Sequence, residues 1–190
     1  MSHEARFDRP FVIDDFVDVS SDAFQALFKG QVWSFGWKSN GKNDRFPFWH
    51  RHFIELEGRS EEKKDKYPLG NFPQVDSLWA AVNEASGGGA RLLRAYANGL
   101  TYGLEGKIHA DSVSTRDITA VIYANAFWAD AWAGETMFYL PSGEVIAVAP
   151  VPGRMVLFNG TIAHVARPPS RDCPMLRTTL MYKFRIDDPS

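Results

Sequence analysis

The chain has one cysteine, no long apolar run and no excess of charge of one sign. The single thiol, Cys173, excludes an intrachain disulfide and fits a reducing compartment, so we expect a cytoplasmic protein. No apolar stretch is long enough to cross a bilayer, and the polar first residues do not resemble a signal peptide. With 21 basic and 23 acidic residues the net charge is −2, which argues against nucleic acid as an obligatory partner. We therefore expect no membrane and no nucleic-acid partner; the oligomeric state, monomer or homodimer, is left open.

Short β-rich segments separated by glycine, proline and asparagine make up the chain after residue 90. They are predicted as strands at Arg91–Ala97, Gly106–Ala110, Ile118–Asn125, Thr136–Leu140, Val145–Ala149, Arg154–Phe158, Ala163–Ala166 and Leu176–Arg185. So many short strands at regular spacing are typical of a sandwich or barrel rather than a parallel α/β sheet. We predict a mainly β (α+β) fold in a single domain, residues 1–190, with a β jelly roll over residues 91–186.

The first 90 residues are expected to support that jelly roll, chiefly through helices. The predicted elements are strands at Phe11–Phe16 and Gln31–Lys38, a helix capped by Ser20, Ser21 and Asp22 and running through Phe28, and a helix at Asp76–Ala85. Residues 46–56 are aromatic-rich and fit either type of element. The polar loop 39–45 is a candidate lid, and residues 57–66 form a solvated charge run.

The pair of residues that organises the chain is His109 and Asp111. On an extended segment, side chains two residues apart point to the same face, about 6.7 Å apart along the backbone, and both can reach one metal ion. By itself the pair fits an ordinary surface strand equally well. His164, in a later predicted strand, is the natural third ligand. Two histidines and one carboxylate on one face of a metal, with the other positions open, is the arrangement of non-haem Fe(II) oxygenases.

A basic residue within an apolar predicted strand points to a carboxylate-binding site. Arg177 and Thr179 share one face of the strand 176–185. A buried guanidinium is costly unless it is paired, and its planar fork matches a carboxylate. No acidic residue near Arg177 in sequence is an obvious partner, so we expect a ligand carboxylate.

The order His109-x-Asp111, His164, Arg177-x-Thr179 resembles the Fe(II)/2-oxoglutarate-dependent dioxygenases, in their prolyl-4-hydroxylase-like branch, from about Leu92 to Phe184. The resemblance implies a double-stranded β-helix, also called a cupin-like jelly roll. It implies that His109, Asp111 and His164 bind Fe(II) and that Arg177 holds the far carboxylate of 2-oxoglutarate. Halogenating relatives replace the carboxylate ligand with a small residue; because Asp111 is present, hydroxylation or another oxidation by O2 is expected.

Further co-substrate residues follow from the same comparison. Tyr123 and Tyr96 match tyrosines that help to hold 2-oxoglutarate in this branch, and Tyr102 is a substitute for Tyr96, because the loop between Tyr96 and His109 is longer here. Thr179 is expected to join Arg177 on the same carboxylate. Four aromatic residues lie in segments that can flank a substrate pocket: Trp37, His52, Trp128 and Trp132.

The expected activity is a dioxygenase reaction that consumes 2-oxoglutarate and O2 and releases succinate and CO2. The compact chain favours a small molecule as substrate, such as an amino acid or a natural-product intermediate. The alternatives are a peptidyl-prolyl hydroxylase and a metal-binding jelly-roll protein without turnover. A rival metal motif, His50 and His52 with Glu55, resembles the ligand set of cupins, but its spacing is short.

Overall fold

Two antiparallel sheets form the fold of this computed structural model, which describes residues 7–30, 32–39, 45–57 and 66–187. The strands of the larger sheet are, in spatial order, β1 (Phe11–Ile13), β8 (Met155–Asn159), β5 (Asp117–Tyr123), β10 (Arg177–Ile186), β4 (Ala90–Leu100), β3 (Phe48–Glu55) and β2 (Ser34–Trp37). The smaller sheet contains β7 (Val145–Val148), β6 (Thr136–Tyr139) and β9 (Ala163–Ala166). The predicted mainly β jelly roll is confirmed.

Two helices of the described ranges accompany the larger sheet. The first, α1 (Asp22–Gln25), is one turn long, and the hydroxyl of its N-cap Ser21 accepts a hydrogen bond from the backbone N–H of Phe24. The second, α2 (Pro73–Ser86), begins three residues before the predicted start, because proline is well accommodated in the first turn of a helix. It ends at Gly87, whose φ of 112° is a left-handed conformation that favours glycine. A short 3-10 helix covers Asp130–Trp132.

Alternation along the central strand β10 divides the interior into two regions. Leu180, Tyr182 and Phe184 belong to the core shared with the helices, where the Tyr182 hydroxyl donates a hydrogen bond to the carbonyl oxygen of Val75 in α2. The opposite face of the strand carries Arg177, Thr179, Met181 and Lys183, which all line one pocket. The fold thus gives one strand both a helix-covered apolar face and a pocket-facing polar one.

Several predicted elements differ from the structure. The predicted helix through Phe28 ends after one turn, and residues 106–110 form no strand; His109 makes only an isolated bridge to His164. The ambiguous segment 46–56 contains β3, so the first 90 residues extend the larger sheet as well as supplying helices. Residues 40–44 of the candidate lid and 58–65 of the charge run lie outside the described residues. No helix in the described ranges is long and apolar enough to cross a membrane.

Candidate metal centre and co-substrate pocket

The two predicted histidines and the aspartate come together in the folded chain. One ligand atom from each of His109, Asp111 and His164 lies within 4.8 Å of the others. An isolated antiparallel bridge fixes the two histidines, because the N–H of each donates to the carbonyl oxygen of the other, at 3.0 and 2.9 Å. The N–H of Asp111 donates to the carbonyl oxygen of Gly160 at 2.8 Å, which sets the third member beside them.

Both imidazoles are oriented by their own backbone. Nδ1 of His109 lies 2.8 Å from the Lys107 carbonyl oxygen, and Nδ1 of His164 lies 2.9 Å from that of Ile162. A carbonyl oxygen only accepts, so each Nδ1 must be protonated and each Nε2 keeps its lone pair when the ring is neutral. These Nε2 atoms lie 3.4 and 3.7 Å from the carboxylate oxygens of Asp111. Burial lowers the pKa of His164 to about 4, so its imidazole is neutral at physiological pH.

The carboxylate of Asp111 is buried but remains charged. Burial raises its pKa, yet Lys183, His164 and His109 together hold the pKa well below its usual value. Lys183 forms a close ion pair with Oδ1, and the Thr119 hydroxyl donates to Oδ2 at 2.7 Å. The site therefore offers two imidazole nitrogens and one oriented carboxylate.

A buried guanidinium lies at the other end of the same pocket. Arg177 is 1% exposed and forms no ion pair with any residue in the described part of the chain. Its Nε donates to the carbonyl oxygen of Gly134 at 2.5 Å, and its Nη2 donates to the Thr136 hydroxyl at 3.0 Å. Burial lowers the pKa of Arg177, because the charged form loses its hydration. The remaining N–H groups are directed by this support, and no carboxylate of the described residues lies within ion-pair distance of the charge.

This donor set fits the groups that the sequence predicted. Two histidines and one carboxylate suit Fe(II) and leave positions for further ligands, whereas a structural zinc site has four protein ligands. A carboxylate beside Arg177 would supply the ion pair that no described residue makes with this guanidinium. In the described ranges, His109, Asp111 and His164 are the only cluster of this kind, and the rival motif on β3 forms none.

The predicted co-substrate residues differ in whether they line the pocket. Thr179 and Tyr96 line the pocket together with Arg177. Tyr123 is buried beneath it: its ring lies 5.4 Å from the Arg177 guanidinium carbon, and its hydroxyl lies 2.8 Å from the Thr136 hydroxyl and 3.2 Å from the Val148 carbonyl oxygen. Tyr102 is 61% exposed and does not line the pocket, so it is not placed to substitute for Tyr96.

The four predicted substrate-pocket residues separate into two groups. Trp37 lines the pocket, and His52 lines an adjoining cavity that Trp37 also borders. Trp128 instead lies close to Gly134 and to the Arg177 side chain. A Cβ added to Gly134 would be 3.2 Å from Trp128 and 3.1 Å from Arg177. Trp132 packs edge-on against Trp128 with ring centroids 5.5 Å apart, and neither tryptophan lines the pocket.

Two basic residues of the pocket were missed by the sequence analysis. Lys183 is 7% exposed, and Arg94 lies opposite it in the β4–β10 register. Lys183 lies six residues after Arg177 and four after Thr179. Because alternate residues of a strand share one face, this spacing was enough to predict that Lys183 faces the same side as Arg177 and Thr179. The supporting hydroxyls of Thr119 and Thr136 carry no such signal, because threonine is common in strands.

The comparisons with known proteins agree with this geometry. The family model of the 2OG-Fe(II) oxygenase superfamily matches residues 94–182. No curated protein sequence matches the chain. A crystal structure of a Pseudomonas putida prolyl-4-hydroxylase has 21% identity and a TM-score of 0.62, with 95% of this chain and 94% of that chain covered.

Two further solved structures share the fold at lower identity. An oxidoreductase of the 2OG-Fe(II) oxygenase family from Burkholderia pseudomallei has 15% identity and a TM-score of 0.68, covering 99% of this chain and 91% of its own. The α-ketoglutarate-dependent carbocyclase SnoK from nogalamycin biosynthesis has 12% identity and a TM-score of 0.64, covering 97% and 83%.

Proposed function

We propose that this chain, whose residues 94–182 match the family model of the 2OG-Fe(II) oxygenase superfamily, binds Fe(II) through His109, Asp111 and His164 and the far carboxylate of 2-oxoglutarate through Arg177. The observation that carries the proposal is the buried Arg177, which has no ion pair among the described residues, in the same pocket as three converging metal donors. Either feature alone has structural explanations. Together they fit a metal and a dicarboxylate bound side by side.

The protein's own contribution is orientation and charge. Thr136 and Gly134 hold the Arg177 guanidinium, Thr119 holds the Asp111 carboxylate, and backbone carbonyls hold both imidazoles. Pre-oriented donors of this kind spare the site the cost of reorganising when its ligands bind. When bound, Fe(II) and 2-oxoglutarate supply the oxidising chemistry with O2, and succinate and CO2 are the co-products.

The proposed substrate is a small molecule, such as an amino acid or a natural-product intermediate. The pocket is lined by Trp37, Phe48, Tyr96 and Met181 besides its polar residues, and such apolar walls suit a small organic substrate. SnoK, which acts in nogalamycin biosynthesis, is an example of the same fold in small-molecule chemistry. A cytoplasmic location completes the proposal, since the single cysteine fits a reducing compartment.

A peptidyl-prolyl hydroxylase is the second candidate, favoured by the likeness to the Pseudomonas putida prolyl-4-hydroxylase. A panel of free amino acids and proline-containing peptides separates the two candidates. If only the free amino acids raise succinate release above a substrate-free control, the small-molecule oxygenase is favoured. If only the peptides do so, the peptidyl-prolyl hydroxylase is favoured.

The experiment that tests the oxygenase itself is anaerobic. Fe(II) and 2-oxoglutarate are added to the protein, the visible charge-transfer band of the iron chelate is recorded, and succinate is measured after O2 is admitted. We expect a band and succinate from the wild type, no band from Asp111→Ala, and a strongly raised 2-oxoglutarate requirement in Arg177→Met.

Two exposed residues supply matched controls. Asp130→Ala and Arg167→Met remove the same charges outside the pocket and are expected to keep the wild-type band. A band that survives Asp111→Ala would contradict the metal assignment. A band without succinate on any substrate panel would favour the binding protein without turnover.

A further inference from the structure

The pocket contains more positive charge than the metal and co-substrate site accounts for. Three cationic side chains line it, Arg94, Arg177 and Lys183, against a single carboxylate, Asp111. Under the proposed function, Arg177 is neutralised by 2-oxoglutarate. The positive charges of Arg94 and Lys183 are not neutralised by the co-substrate.

These two cations are held next to each other by the sheet. Arg94 of β4 and Lys183 of β10 are directly opposite in the antiparallel register. Opposite residues on one face have Cβ atoms about 5 Å apart, and like charges there repel each other. Their charged ends also flank one aromatic ring, 5.7 and 5.9 Å from the centroid of Tyr96. A repulsive pair on a buried face is stabilised when an anion lies between its members.

The described residues offer little to neutralise the pair. The Arg94 guanidinium makes no ion pair or hydrogen bond within the described ranges, although Glu55 lies opposite it on β3. Lys183 pairs with Asp111, through the same Oδ1 that faces Nε2 of His109. A metal ion on Asp111 competes with Lys183 for that carboxylate, because two cations on one oxygen repel each other. A loaded metal site therefore weakens the one ion pair of Lys183.

A local irregularity of the sheet adjoins the two cations. The β4–β10 pairing shifts register between Lys183 and Phe184, so that Leu93 is skipped. The Leu93 carbonyl oxygen turns toward β3 and accepts the N–H groups of Leu56 and Glu57, at 2.8 and 3.0 Å. Bulges of this type change the direction of neighbouring side chains and occur often beside binding sites.

We propose that Arg94 and Lys183 bind a carboxylate of the primary substrate, so that the enzyme acts on a small acid with an apolar body. This inference rests on the proposed oxygenase function and names the substrate class of the same site. The two cations occupy the inner sheet face at the end of the pocket away from Arg177, and Tyr96 and Met181 provide the apolar surface between them. One pocket then has two anion sites, one for the co-substrate and one for the substrate.

Binding under nitrogen tests this proposal without turnover. Protein loaded with Fe(II) and saturating 2-oxoglutarate is titrated in a calorimeter with benzoate, 3-phenylpropionate and N-acetyl-L-proline, and with the amide of each acid. Saturating 2-oxoglutarate keeps the acids away from Arg177. We expect at least one acid to bind roughly tenfold or more tightly than its amide, because a charge-assisted hydrogen bond is lost in the amide.

The preference for the acid should depend on the two cations. Arg94→Gln, which does not touch Asp111, is expected to reduce the preference roughly tenfold while the charge-transfer band persists. Lys183→Met is expected to reduce the preference by a similar factor. Arg91→Gln removes an exposed cation from the same strand as Arg94 and is expected to bind like the wild type.

The outcomes separate the two proposals. A normal band with equal binding of every acid and its amide overturns this inference and leaves the oxygenase function standing. A preference that survives Arg94→Gln and Lys183→Met also overturns it. Absence of the band from the wild type overturns the function on which it rests.

Discussion

His109 and His164 are joined by two reciprocal backbone hydrogen bonds, although 55 positions separate them in the chain and no strand contains His109. Their rings lie 4.5 Å apart between centroids. The metal centre is therefore positioned by main-chain geometry before any ion binds. Substitutions near it should act through orientation and charge, and the following experiments test this.

The stability of the metal-free protein should fall on mild acidification because of His164. Its pKa is about 4 when folded against an ordinary value of 6.5, so the unfolded chain binds the proton more tightly. The stabilising contribution is fully present above pH 6.5 and is lost as the pH falls toward 4. Between pH 7 and 5 we expect a loss of roughly 2 kcal/mol in the free energy of unfolding, measured by urea denaturation with a chelator present.

The variant His164→Gln provides the comparison for that slope. It removes the titrating group, so its free energy of unfolding should depend less on pH over the same interval. Equal slopes in the two proteins would mean that other groups cause the acid sensitivity.

Replacing Thr119 by valine should weaken metal binding without unfolding the protein. The Thr119 hydroxyl donates to Oδ2 of Asp111 at 2.7 Å, and removing such an orienting partner typically costs 10- to 100-fold in metal affinity. Calorimetric titration with Mn(II) measures the change. The exposed Thr101→Val serves as control, and equal affinities for the two variants would show that the hydrogen bond does not orient the ligand.

A methyl group at Gly134 should impair 2-oxoglutarate binding. Its Cβ would lie 3.1 Å from Cδ of Arg177, and the φ of +87° is strained for alanine. Gly143 has the same φ with no atom within 4 Å, so Gly143→Ala reports the backbone strain alone. We expect both variants to lose about 1–2 kcal/mol in stability, with a raised Kd for 2-oxoglutarate only in Gly134→Ala. An unchanged Kd for 2-oxoglutarate in Gly134→Ala would contradict the role of the Arg177 guanidinium in co-substrate binding.

Removing the Tyr123 hydroxyl should lower stability. The hydroxyl contacts Thr136 and Val148 inside the protein, and buried partners left unsatisfied cost about 1–3 kcal/mol. Thermal and urea unfolding of Tyr123→Phe measure the loss. The exposed Tyr102→Phe is expected to resemble the wild type in stability and in 2-oxoglutarate affinity; a raised Kd there would restore Tyr102 as a co-substrate residue.

The sequence predicted the strands in which apolar and polar side chains alternate. It also predicted the site residues whose type is unusual for the segment that contains them. Arg177 within an apolar strand and the His109–Asp111 pair belong to this class, and the structure brings them to one pocket. Residues 106–110 were predicted as a strand from their β-rich composition, and on an extended segment His109 and Asp111 share a face. The structure reaches the same convergence through one bridge and a bond to Gly160.

Other features depend on tertiary contacts that local patterns do not encode. The segment 46–56 has aromatic residues at both helical and strand spacings. It forms the strand β3 because it pairs with β4. Tyr102 is close to Tyr96 in sequence, but only Tyr96 lies on a strand that faces the pocket. The pairing of Arg94 with Lys183 required the register of two strands far apart in the chain.

The six residue steps from Arg177 to Lys183 on β10 set the distance between the two proposed anion sites. At about 3.4 Å per residue their backbone positions are roughly 20 Å apart. Adding or deleting one residue between them would turn one cation into the helix-covered core. The separation of the sites can therefore change only in steps of two residues, whereas a different side chain at Met181 or Tyr96 alters the space between them without moving either end.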